Sequence, residues 1–193
     1  MTQSGDLYEF AFRGILAEEA LDKCGRLHPN LVGALADGFA ERLGIELLDE
    51  QFVASARQMA MVYTAVTAFE NSVRKFISNV LLEKLGESWW ETAASANMKK
   101  KVEARQKDEE KVRWHTQRGA SQITYTDMSD LGNIIRNNWP HFEPHIPSAE
   151  WANAVFDIIE RSRNVIMHSG YLGPEDVERV GINIRDWIKQ VGT

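Results

Sequence analysis

From Asp49 to Leu85 the chain carries neither proline nor glycine, and its apolar residues recur at spacings of three and four. Phe52, Ala56, Met59, Tyr63, Val66, Val73, Phe76, Ile77, Val80 and Leu81 share one side of a helical wheel, and Gly86 ends the run. This predicts a single helix far longer than the average of about three turns, bent or straight. Whatever else the chain forms must be laid against that rod.

Nearly every other segment also reads at helical period. Leu7, Phe10, Ala11, Ile15 and Leu21 form a stripe ending near Gly25, and Leu31, Leu35, Phe39 and Leu43 form a second, from Pro29 to Gly44. These predict a helical hairpin over residues 1–48 as an N-terminal extension, followed by a main helical domain over 49–193. Residues Trp89 to His115 are strongly charged, with a thin seam at Met98, Val102, Arg105, Glu109 and Val112, and are expected to project into solvent or against a partner. Residues 119–127, GASQITYTD, are β-branched and turn-like and are expected to form a short extended pair. Asp127 or Ser129 is placed to cap the helix that begins LGNIIRNNW, and Pro140, Pro144 and Pro147 force a loop. Ser148 opens a helix reaching His168, and Pro174, Glu175 and Asp176 open the last one. The expected fold class is all-α, a bundle of about seven helices without internal repeats.

The chain has 193 residues, enough for one well-packed domain with an extension. Its lone cysteine, Cys24, permits no internal disulfide, and no Cys/His cluster has zinc-site spacing, so no metal or cofactor is expected. The first residues lack a secretory pattern and no apolar stretch is long enough for a bilayer, which together predict a cytoplasmic protein with no membrane partner. A net charge of -6 excludes a chain that coats nucleic acid over its whole surface. Residues 99–118 depart from that average, with eight bases against four acids, and are a candidate track for phosphates.

The chemistry concentrates in RNVIMHSG, residues 163–170, where a helix burying Val155, Phe156 and Ile159 finishes on an arginine, an amide and a histidine. A histidine at a helix C-terminus is favoured in its protonated form, which suits a general acid. An arginine fork beside it can hold two phosphate oxygens and stabilise a pentacoordinate transition state. Asn164 can orient either group. On a regular helix Arg163 and His168 stand roughly 140° apart, so their meeting requires the chain to unwind at HSG. A second cluster, ENSVRKFI, sets Glu70 and Arg74 at i, i+4 beside Asn71. By spacing alone that pair is a surface ion pair worth a few tenths of a kcal/mol.

Taken with YTDMSDLGNIIRNNWPHF, these stretches resemble the HEPN superfamily, whose Arg-x4-6-His pattern RNVIMHSG matches with a polar residue directly after the arginine. The similarity is to the HEPN subgroup that accompanies nuclease domains and bacterial defence genes, and it covers about residues 50–190. It implies a HEPN-like bundle that forms a homodimer with a composite active site, and a metal-independent endoribonuclease cutting RNA by 2′-hydroxyl transesterification. A toxin-antitoxin or anti-phage setting follows, with an antitoxin or defence-system protein as partner. Carried over, Arg163 and His168 are the catalytic pair and Asn164 the supporting residue, while Glu70, Asn71 and Arg74 line the cleft. Arg161 also falls within the pattern, at x6, and joins the substrate-binding set. The alternative is a non-catalytic HEPN module that binds nucleotide, RNA or a protein. Of the remaining candidates, Trp89 and Trp90 read as a core anchor more readily than as base-stacking residues. His141 and His145 lack the acidic or Cys partners a metal needs.

Overall fold

Helix α1, Glu50–Leu85, is unbroken. Its buried face, Met59, Val62, Val66, Phe69, Val73, Ile77, Val80 and Leu81, keeps the alternation of three and four that the sequence displays. The structure, a computed structural model, describes residues 38–192 together with Ala17 and Leu21. Apart from its end, the hairpin expected over 1–48 lies outside the described residues. There a helical turn over 38–42 stops at Gly44, whose φ of 60° is left-handed, before a 3₁₀ turn at Ile45–Leu47. The chain divides into two compact units, 1–54 and 55–193.

Six further α-helices follow: α2 Trp89–Ala93, α3 Ala96–Glu110, α4 Met128–Asn137, α5 Trp139–Phe142, α6 Ala149–Met167 and α7 Pro174–Val191. Among the described residues there is no strand, and the fold is all-α. Helix α4 packs on α6 and α6 on α7. The core closes around Trp187 of α7, which stacks on Trp151 at 5.6 Å and meets Phe69 edge-on at 5.9 Å and Phe156 at 5.1 Å. Met59 accepts a hydrogen bond from the Leu172 amide at 3.3 Å, tying the α6–α7 connection to α1.

The charged stretch 89–115 holds two helices, because Ala94 is extended and Ser95 caps α3 by accepting from the Met98 amide at 3.2 Å. Two expectations need correction. Helix α3 does not project, since Met98 and Val102 are buried in the core. Residues 119–127 form no extended pair; Gln122–Tyr125 is a 3₁₀ turn. The Thr124 and Thr126 hydroxyls donate to the carbonyls of Ser121 and Ile123, three residues back, at 2.6 and 2.7 Å. These bonds curl the β-branched stretch into a turn, the competition that local side-chain bonds offer to extended backbone.

Candidate functional site

Glu70 stands one helical turn after Val66, on the face that α1 buries, and is only 6% exposed. A carboxylate taken so far out of water needs partners. Arg74, one turn further on, supplies the first, donating from Nη2 to Glu70 Oε1 at 2.6 Å. The same guanidinium donates to the carbonyls of Ile123 at 3.2 Å and Thr126 at 2.9 Å, and to Asn71 Oδ1 at 3.0 Å. Arg74 therefore staples the 3₁₀ turn to α1, with Asn71 bracing it from the exposed side. The pair is a buried junction, not the surface ion pair that its spacing suggests.

Arg163 approaches the other oxygen of Glu70 from α6, its Nε 3.7 Å from Oε2. Its side chain is 36% exposed and, among the described residues, makes no hydrogen bond. It opens onto a cleft of about 460 Å³ lined by Tyr63, Thr67, Glu70, Arg74, Arg105, Arg118, Thr124, Thr126, Asp127 and Arg163. Four guanidinium groups against two carboxylates make the cleft electropositive in a chain whose net charge is -6.

The far wall comes from α3 and the segment after it. Arg105 donates to the Tyr125 carbonyl and, at 3.2 Å, to Asp127 Oδ2, which also accepts from Lys101 at 2.7 Å. Asp127 caps α4 by accepting from the Asp130 amide at 2.9 Å, and Asp130 reciprocates at 3.2 Å, a capping box. Burial favours the neutral form of the Asp127 carboxyl. It is outweighed by the bonds from Lys101, the Asp130 amide and Ser129, which hold the group well below the usual carboxylate range. Glu160, one turn before Arg163, shifts the other way: burial, with repulsion from Asp127 and Asp157, raises its carboxyl against the pull of Arg163. Arg118 pairs with Glu109 at 2.7 Å and lies 5.6 Å over the Tyr125 ring.

The expected site residues divide among three places. Glu70, Arg74 and Arg163 share the cleft, with Asn71 at its edge. Arg161 lines a separate groove with Asp157, Asp176 and Arg179, as expected for a residue about 160° around α6 from Arg163. Asn164 and His168 are exposed. His168 is the C-cap of α6, and its amide bonds the Asn164 carbonyl at 3.2 Å. Beyond it the Ser169 amide bonds Ile166 O at 3.0 Å and the Gly170 amide bonds Val165 O at 2.8 Å, a Schellman ending. Ser169, at the position after the cap, takes the left-handed role at φ 59°, and Gly170 stands next because a Cβ there would lie 2.8 Å from that Val165 oxygen. Within one chain the ending does not carry His168 into the lining around Arg163.

Sequence reasoning did not single out Arg105 or Arg118 individually. The signal was the basic excess over 99–118, but Lys107, Lys111 and Arg113 belong to that excess and do not line the cleft. Trp90 is buried and Trp89 half-buried, edge to face at 5.7 Å, an anchor beneath α2. His145 sits edge-on to Phe76 at 5.8 Å.

No curated protein and no solved structure matches the chain. Residues 64–192, more than half of it, match the family described as Swt1-like HEPN, a span that includes both the α1 cluster and the arginine and histidine of α6.

Proposed function

We propose that this chain, which belongs to the Swt1-like HEPN family, is a metal-independent endoribonuclease working in a toxin-antitoxin or anti-phage setting. The observation that carries the reading is the state of Arg163. Arg74 and Arg105 are spent on carbonyls and carboxylates, whereas Arg163 is one-third exposed to an electropositive cleft and, among the described residues, has a single charged partner, Glu70 at 3.7 Å. A guanidinium so placed can take two non-bridging phosphate oxygens.

The reaction needs only proton transfer and charge stabilisation. The 2′-hydroxyl gives its proton to water or to an unprotonated imidazole, and its oxygen attacks the adjacent phosphorus. The bond from phosphorus to the 5′-oxygen breaks, and that oxygen takes a proton from an imidazolium. The products carry a 2′,3′-cyclic phosphate and a 5′-hydroxyl. Arg163 stabilises the equatorial charge, His168 is the acid or base and Asn164 orients one of them. Since His168 stands outside the cleft of its own chain, the reading calls for a homodimer in which a second copy supplies the imidazole.

The same position of His168 favours the second reading, a non-catalytic module that holds RNA, nucleotide or a protein in the Arg163 cleft. Incubating the protein with end-labelled single-stranded RNA in EDTA separates the two. The nuclease reading expects cleavage that falls by about 10² to 10⁴ in His168→Ala and by about 10² in Arg163→Ala, with helicity unchanged. Binding without cleavage would establish the module instead.

A further inference from the structure

Between the end of α3 and the 3₁₀ turn, residues 111–121 are exposed throughout. They carry Lys111, Arg113, His115 and Arg118 and no acid, within a chain of net charge -6. The foot of this loop is fixed. Glu109 accepts from the Arg118 amide at 3.1 Å and its Nε at 2.7 Å, and the Tyr125 hydroxyl, on a residue 2% exposed, donates to the Gly119 carbonyl at 3.3 Å. At the tip Trp114 is 84% exposed, its ring edge-on to that of His115 at 5.6 Å. The other five tryptophans are buried or half-buried. The indole is thus held in water on a clamped base, among cations, and takes no part in the core.

We infer that this loop is a second contact for single-stranded RNA, in which a nucleobase stacks on Trp114 while Arg113 and Arg118 take the flanking phosphates. The inference rests on the reading of the Arg163 cleft as an RNA site. Stacking on an exposed aromatic beside bases is how single strands are held without sequence preference, because every base offers a π face. Arg118 joins the two contacts, since it clamps the loop and lines the cleft. It stands only four positions after Trp114, about 14 Å of chain at full extension. A membrane surface would call for a broad apolar face around the ring, and Trp114 has cations as neighbours instead.

The test measures anisotropy of a fluorescein-labelled mixed-sequence RNA 12-mer, using full-length His168→Ala protein so that nothing is cut. Adding Trp114→Ala is expected to weaken binding about tenfold, with Trp114→Phe close to the parent. An oligomer of the same length carrying abasic sites should bind both proteins equally. Because the ring is solvent-exposed, unchanged thermal midpoints are expected. Equal RNA affinity with and without the indole overturns the inference while the proposed nuclease function stands. If the parent does not bind RNA at all, both readings fall. Should Trp114→Ala change the oligomer mass by light scattering and leave RNA affinity untouched, a second copy covers the ring and the inference is likewise overturned.

Discussion

Glu70 meets guanidinium groups on both of its oxygens, Arg74 at 2.6 Å and Arg163 at 3.7 Å. The two differ in kind. Arg74 is locked by two carbonyls as well, so it answers for the position of the 3₁₀ turn, whereas Arg163 is held by the carboxylate alone among the described residues. Replacing Glu70 by Gln keeps the shape and removes the charge, leaving Arg74 buried without its counter-ion. Urea unfolding of Glu70→Gln is expected to show a loss of about 2 kcal/mol, against the few tenths that an exposed i, i+4 pair yields. A loss within the smaller range would mean that water reaches the pair.

At the scale of elements, α4 depends on its first residue. Asp127 is at once the cap of the helix and the anion that receives Lys101 and Arg105 from α3, so a single carboxylate joins two helices. Its value is depressed in the folded protein relative to about 3.9 in an unfolded chain. The stabilisation is therefore complete above that unfolded value and is lost as pH falls from about 5 into strong acid. Urea titrations of the parent and Asp127→Asn are expected to converge over that range, and curves that stay parallel would detach the acid limb from this residue. The sequence made α4 and its cap legible, since an acid directly before a helical run has one efficient use. The span of α1 was equally legible, because nothing within it could stop a helix. What could not be read was tertiary. The break at Ala94 and Ser95 lies inside a charged run without proline or glycine, and the turn at 122–125, curled by its own threonine hydroxyls, is held on α1 by Arg74 through the carbonyls of Ile123 and Thr126, far along the chain. The cleft was legible only in part: Glu70, Arg74 and Arg163 stood out as charges in apolar helices, whereas Arg105 and Arg118 are placed by a packing partner far along the chain.

For the whole molecule, the separation of Arg163 from His168 makes the proposed reaction a matter of two chains. Arg163→Ala and His168→Ala proteins, each strongly impaired alone, are expected to regain RNA cleavage when unfolded and refolded together, because a mixed dimer keeps one intact arginine facing one intact histidine. Co-refolded protein that forms dimers and stays silent would place both groups at work within one chain. The ending of α6 bears on how such a molecule can change over time. Backbone amides from Ser169 and Gly170 close the last carbonyls, so among the described residues the exposed imidazole of His168 has no structural chore. One codon change there can erase the ring and spare the scaffold, which gives a lineage an inexpensive route to a silent copy of the same architecture.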